Sequence, residues 1–367
     1  MRAQALPPHA VPARVMPVRV MIVEDSLVVR RLLAHIVSRD PRLTLAAAVA
    51  SAEEALQEMP RVRPDVVSMD IRLPGMDGLE ATRRIMAEQP TPIVVIADSV
   101  QDSTFSISMN ALRAGALSVV EKPVGIETGG FAQIAETICT QLYIMSQVAV
   151  IRQRAAMPPR SRPPLGPGMA AQRPPSQPSV LAIAASTGGP PALAQVLGAL
   201  PADFPLPVLL VQHMGAAFME GFAHWLDGLV PMKVAVAQEG EPARPGHVYV
   251  APGDRHLLLT LQGTLRLSNG QPIASQRPSA TLLFRSVAEA AGAQALGVLL
   301  TGMGEDGAVG LAEMRQSGGY TITEHESTAV VYGMPAAAVR LGGSSLSLPL
   351  PAVGPRLAQL ARQEAGR

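Results

Sequence analysis

Cysteine is almost missing from this chain. Cys139 stands alone among 367 residues, which excludes an intramolecular disulfide and a cysteine-ligated zinc site and fits a reducing compartment. Aromatic residues make up only 3%, so any core is built mainly from aliphatic side chains. Excess charge is absent too: the formal net charge is +1, which gives neither a basic footprint for nucleic acid nor a polybasic membrane anchor. No uninterrupted apolar run is long enough to span a bilayer. The stretch from Met1 to Arg19, broken by Pro7, Pro8, His9 and Pro12, lacks the apolar centre of a signal peptide. These absences describe a cytoplasmic protein that neither binds nucleic acid nor inserts into a membrane.

What is present is ample material for cores: 48% of the residues are apolar, and the length favours two or three domains. Composition divides the chain. Residues 1–17 read as a disordered extension, 18–147 as a first domain, 148–178 as a solvated linker rich in proline and arginine, and 179–363 as a second domain.

In the first domain, short apolar runs alternate with helical patterns. Val18–Val23 reads as a strand ending in Glu24 and Asp25, Thr44–Val49 as a second, and Pro64–Met69 as a third ending in Asp70. Pro92–Ile96 and Leu117–Val120 supply two more, the last closed by Glu121, Lys122 and Pro123. Helical patterns fall on Val28–Val37, Ala52–Met59, Leu79–Glu88, Ser106–Ala114 and from Phe131 to about Gln153. Connections this short imply a parallel sheet covered on both faces, with its strand ends on one edge. Glu24, Asp25, Asp70 and Lys122 then meet there. Singly, each would be a helix cap or a surface ion pair. Together, three carboxylates repel unless a hard cation such as magnesium neutralises them, and a lysine beside them can hold a phosphoryl oxygen.

The second domain opens with Val180–Ala185, a buried strand, followed by Ser186-Thr187-Gly188-Gly189-Pro190 and a helix over Ala192–Leu200. Ser186 is either a nucleophile at the strand's carboxyl end or the N-cap of that helix. Leu206–Val211 leads to Gln212-His213, Gly246–Ala251 to Asp254-Arg255-His256, and Leu296–Thr301 to Gly302-Met303-Gly304-Glu305-Asp306-Gly307. Leu257–Leu267 reads as a hairpin, Ala280–Ala291 and Pro335–Leu341 as helices, and Tyr320–Thr323 as a strand before Glu324. Ser186, His213 and Asp306 each follow a different strand and have the chemistry of nucleophile, proton carrier and orienting carboxylate. His213 alone could be a satisfied core histidine, and Asp306 alone the cap of a helix beginning near Val309. A rival pattern overlaps them: Gly302–Gly307 matches G-x-G-x-x-G, with Glu324 or Glu326 at the distance of a ribose contact. Against it, the motif follows a late strand and would aim Asp306 at a pyrophosphate.

The Glu24-Asp25, Asp70, Met-Asp-Gly and Lys122-Pro123 pattern resembles the receiver domain of response regulators. That resemblance implies a flavodoxin-like α/β fold, Asp70 as phosphoacceptor from a chemotaxis histidine kinase, Glu24, Asp25 and Asp70 as magnesium ligands, Lys122 on the phosphoryl group, and a cis Lys122–Pro123 bond. Two positions depart from the pattern: Ala97 stands where receivers carry Thr or Ser, and Val119 where they carry an aromatic. The second domain is similar to the catalytic domain of the chemotaxis protein-glutamate methylesterases, through Ala-Ala-Ser186-Thr-Gly-Gly-Pro, Gln-His213-Met, Ala-Pro-Gly-Asp-Arg-His256 and Thr-Gly-Met303-Gly-Glu-Asp306-Gly. That similarity implies a doubly wound, mostly parallel α/β hydrolase. Ser186, His213 and Asp306 would be catalytic, the Met303 N–H would form part of an oxyanion hole, and Thr187, Arg255 and His256 would lie nearby. The substrates implied are glutamate methyl esters, and particular glutamines, on the cytoplasmic domains of methyl-accepting chemoreceptors. Ester hydrolysis needs no cofactor on this reading. The competing expectation is a receiver-gated docking module of a chemosensory array without catalysis.

Overall fold

The computed structural model describes residues 16–97, 111, 114–123, 131–148 and 177–362. Most of the helix expected over Ser106–Ala114 and of the 148–178 linker lies outside the described residues, as do nearly all of 1–17 and the last residues of the chain.

The first half is a five-stranded parallel sheet in the order β2-β1-β3-β4-β5. Its strands are β1 (Val18–Val23), β2 (Leu43–Val49), β3 (Val66–Met69), β4 (Ile93–Ala97) and β5 (Ser118–Glu121). The helices between them are α1 (Leu27–Arg39), α2 (Ala52–Val62), α3 (Gly78–Glu88) and α4 (Phe131–Met145). The order 2-1-3-4-5 is that of flavodoxin-like sheets. Local chemistry sets the helix starts. Ser51 caps α2 by accepting the Glu54 N–H at 3.2 Å, while the Glu54 carboxylate accepts the Ala50 N–H at 2.9 Å. Asp77 caps α3 by accepting the Glu80 N–H at 2.8 Å.

The second half holds seven parallel strands in the order β14-β13-β12-β6-β7-β9-β8. In chain order its elements are β6 (Val180–Ala185), α5 (Gly189–Gly198), β7 (Val208–Gln212), α6 (Met219–Asp227), β8 (Lys233–Val236), β9 (His247–Val250) and the antiparallel hairpin β10 (His256–Leu259) with β11 (Leu265–Ser268). There follow α7 (Ala280–Ala291), β12 (Ala295–Leu299), α8 (Ala308–Gln316), β13 (Tyr320–Glu324), α9 (Met334–Arg340), β14 (Leu346–Leu348) and α10 (Leu350–Ala361). Every residue of β6 and β12 is buried, as a central strand covered on both faces requires. From β6 the strand order runs outward both ways, so the β6–β12 crevice is the switch point where such sheets bind ligands.

Three expectations are corrected. Ser186 is not the cap of the following helix: α5 is preceded by Gly188 at φ 76°, without a side-chain cap, and begins three residues earlier than expected. Asp306 does not cap α8, whose N-cap is Gly307 at φ 88°. Among the described residues the cis peptide bond is Arg277–Pro278, not Lys122–Pro123.

Candidate functional site

At the carboxyl edge of the first sheet, Lys122 Nζ lies 2.9 Å from Asp70 Oδ2 and 3.0 Å from Glu24 Oε2. All three residues are buried, whereas Asp25 is exposed. Burial, with the Asp70 charge beside it, lifts the Glu24 carboxyl to about 7 against the pull of Lys122. Burial lifts Asp70 as well, opposed by Lys122. One ammonium is therefore insufficient for two buried carboxylates. Glu24, Asp25 and Asp70 each bring an oxygen to within 4.8 Å of the others, and among the described residues the one cation paired with Glu24 and Asp70 is Lys122. An all-oxygen, acid-rich set of this kind suits a hard divalent cation. Ala97, buried at the end of β4, pairs with Glu121 and accepts the Lys122 N–H at 3.0 Å, so no hydroxyl stands at the usual place.

In the second half Ser186 follows β6 and His213 follows β7. Gln212 holds them together: its Nε2 donates to the Ser186 and His213 carbonyls, each at 2.9 Å. The turn after Ser186 demands glycine twice. A Cβ on Gly188 would lie 2.6 Å from Val330 Cβ, and one on Gly189 would collide with Gln212 Oε1.

Asp306 lies behind His213 and accepts the Nε2–H at 2.9 Å. A carboxylate can only accept, so Nε2 carries the proton and Nδ1 is left as the free basic nitrogen. The same carboxylate sits on the N-terminus of α7. It accepts the Ala280 N–H at 2.7 Å, the Thr281 N–H at 3.1 Å, the Gly307 N–H at 2.9 Å and the Ser279 hydroxyl at 2.8 Å. Burial alone would raise its pKa, but these donors and His213 outweigh burial and hold it at about 2.

The remaining expected residues fall in different places. Thr187 is buried beside Ser186, and Met303 is exposed in the loop after β12, with no backbone acceptor for its N–H among the described residues. His256 is fully buried and stands behind Asp306: its Nε2 donates to the Gln271 carbonyl at 3.1 Å, and Nδ1 accepts the Ser279 N–H at 3.1 Å. Arg255 instead lines a separate groove with Glu220, His224 and Asp227. Gln212 and Thr301, which stand in the motifs without an assigned role, and Ser279, which lies outside them, make the contacts that join the site. Ser279 had a local signal of its own, as a serine directly before a helical pattern.

Ser186, Thr187 and His213 open onto a cavity of about 370 Å³ whose other wall is β5 and α4 of the first half, including Val119, Glu121, Thr137 and Gln141.

Residues 181–357 match the family model for CheB methylesterase, and residues 20–129 that for the response regulator receiver domain. A protein-glutamate methylesterase/protein-glutamine glutaminase of Paramagnetospirillum magneticum is 53% identical over 93% of this chain and 96% of its own. The chain belongs to the CheB methylesterase family. A Myxococcus xanthus member, also a protein-glutamate methylesterase/protein-glutamine glutaminase, is 45% identical over 94% of this chain and 97% of its own. The crystal structure of the Thermotoga maritima CheB methylesterase catalytic domain, 36% identical, covers 50% of this chain and 99% of that one, with a TM-score of 0.49. In this member of the family the receiver and the hydrolase share one chain in the order expected. Among the described residues no helix is long and apolar enough to cross a membrane.

Proposed function

We propose that this CheB methylesterase hydrolyses glutamate γ-methyl esters on the cytoplasmic domains of chemoreceptors, releasing methanol, and deamidates particular glutamines there. The observation that carries the reading is the Asp306–His213 hydrogen bond of 2.9 Å set beside Ser186 at the sheet's switch point. In this mechanism His213 Nδ1 takes the proton of Ser186 Oγ as the oxygen attacks the ester carbonyl. Asp306 holds the ring and stabilises the imidazolium. The N–H groups of Thr187 and Met303, neither of which has a backbone acceptor among the described residues, stabilise the tetrahedral oxyanion. Collapse breaks the bond to the leaving oxygen, which departs as methanol with the proton from His213. Water, deprotonated by His213, then frees the glutamate carboxylate and restores Ser186. An amide follows the same course with ammonia as leaving group. Ser186 Oγ has no hydrogen bond to His213 among the described contacts, and such bonds commonly tighten only when substrate is bound.

Control belongs to the receiver. Asp70 accepts a phosphoryl group from a chemotaxis histidine kinase, Lys122 contacts that group, and Glu24, Asp25 and Asp70 would hold the magnesium whose charge the phosphoryl transfer needs. The wall formed by β5 and α4 across the cavity from Ser186 supports steric inhibition: a receptor helix about 10–12 Å across needs that wall moved. Phosphorylation then favours the open arrangement.

The test is methanol release from methylated receptor membranes by the full chain, with and without acetyl phosphate and magnesium. The expected result is a low basal rate that the phosphodonor raises, and no release by Ser186→Ala under either condition. Release by Ser186→Ala at the parent rate would refute the serine mechanism.

A further inference from the structure

Glu324 ends β13, is fully buried, and has no place in the mechanism above. Its position has a clear origin in the sheet. Beyond the last β12–β13 register pair, Leu299 with Thr323, the Leu300 N–H turns toward β6 and donates to the Ala184 carbonyl at 2.9 Å. The Thr301 N–H faces the opposite side, where the β13 ladder has ended. Glu324 Oε2 supplies the missing acceptor at 2.8 Å.

Thr301 is the residue on which the nucleophile loop rests. Its carbonyl accepts the Ser186 N–H at 3.0 Å, its hydroxyl donates to the Thr187 carbonyl at 2.9 Å, and that hydroxyl accepts the Val331 N–H at 2.9 Å. Gly302 follows, so tightly placed that a Cβ there would lie 2.8 Å from Ser186 Cβ. Met303 comes next, its N–H without a backbone acceptor among the described residues. Two residues thus separate the acceptor supplied by Glu324 from the proposed oxyanion donor, and the same Thr301 fixes the backbone of the nucleophile.

We propose that Glu324 is a positioning residue of the hydrolase, which acts through Thr301 to set the distance between Ser186 Oγ and the oxyanion-binding N–H of Met303. The inference rests on the serine mechanism proposed above. A purely packing role would be met better by leucine, which carries no desolvation cost, whereas the Thr301 N–H needs an oxygen. Burial raises the Glu324 carboxyl above its ordinary pKa against the Thr301 hydrogen bond. The Thr301 N–H takes a single oxygen of this side chain, an acceptor that glutamine supplies as well.

The experiment measures kcat and KM for methanol release from methylated receptor membranes, with acetyl phosphate and magnesium saturating, for the parent chain, Glu324→Leu, Glu324→Gln and Ser186→Ala. The rate of inactivation by an alkyl fluorophosphonate is measured alongside, because its phosphoryl oxygen occupies the oxyanion site as Ser186 displaces fluoride. Complete loss of one oxyanion donor costs about 10²–10³ in kcat, so its displacement in Glu324→Leu should cost about tenfold or more. KM should stay within about twofold, since an interaction made only in the transition state leaves substrate affinity alone. Inactivation should slow by the same factor as kcat, and Glu324→Gln should recover most of both.

An unchanged kcat in Glu324→Leu with an inactive Ser186→Ala overturns the positioning role and leaves the serine mechanism standing. Equal loss in the Leu and Gln variants also overturns it, because the acceptor would then not matter. If Glu324→Leu does not fold, Thr301→Val removes the hydroxyl link to Thr187 and carries the same expectation, with parent kinetics as the refuting result. Activity in Ser186→Ala would overturn both readings at once.

Discussion

Val119 of the receiver and His213 of the hydrolase line the same cavity of about 370 Å³. The position that departs from the usual aromatic residue is thus on the wall of the cavity that His213 also lines. A small side chain leaves space between the two halves there. Val119→Tyr should fill part of it, and burying on the order of 80 Å² more apolar surface is worth about 2 kcal/mol to the closed arrangement. Basal methanol release without phosphodonor is expected to fall about tenfold or more, since about 1.4 kcal/mol is a factor of ten. A higher basal rate would mean that the ring wedges the halves apart.

Asp306 links catalysis to acid stability. Its carboxyl titrates at about 2 in the fold against an ordinary 3.8. The depressed value means that ionisation favours the folded state: the stabilisation is complete above about pH 4 and is lost as pH falls toward 2, a contribution of roughly 2 kcal/mol. Asp306→Asn should lose most of this pH dependence between 4 and 2 in denaturant titrations. It should also lower kcat by about 10³–10⁴, because an amide cannot hold the His213 tautomer in the same way.

The acid cluster of the receiver should be separable from ester hydrolysis. Chelation with EDTA, or Asp70→Asn, is expected to abolish incorporation of label from radioactive acetyl phosphate and leave the basal rate of methanol release within about twofold. Glu24→Gln removes one of two buried carboxylates facing a single lysine, so its thermal midpoint without magnesium should match or exceed that of the parent. A fall of several degrees would show that the Lys122 pairing outweighs the repulsion.

His256 serves Asp306 from behind. His256→Ala leaves the buried Ser279 N–H without an acceptor, at a cost of about 1–3 kcal/mol, and loosens the helix end on which the carboxylate rests. The denaturation midpoint should drop accordingly, and His256→Asn, which keeps an oxygen near the Nδ1 position, should recover part of the loss. Equal midpoints for Ala and Asn would place the effect in packing alone.

Which of these features the sequence discloses depends on whether the signal is local. Strand ends are local: short apolar runs finishing in Glu24, Asp70, Ser186 and His213 announce both sheet edges. The partner of a cap is not. Ser186 looked like an N-cap because serine before a glycine-proline turn often is one, but Gly188 at positive φ starts the helix instead. Asp306 does serve a helix terminus, that of α7 reached through the fold rather than the one that follows it in sequence. Glu324 was spaced like a ribose contact. Its carboxylate turns inward to Thr301, a direction fixed only when β13 stops one residue short of supplying a backbone acceptor. The helix at Met219–Asp227 and the edge strand at Lys233–Val236 are short, and only Gly228 and Pro231 mark the break between them.

The strand order has a consequence for synthesis. β6 is the first strand of the hydrolase to leave the ribosome, yet its neighbours in the finished sheet are β7 and β12. The Ser186 N–H must wait for the Thr301 carbonyl, and Thr301 for the side chain of Glu324. Contacts of such long sequence separation form late in folding. A nascent chain therefore carries Ser186 long before the contacts that seat it exist, and on the proposed mechanism the enzyme cannot begin to erase receptor modification until translation is nearly complete.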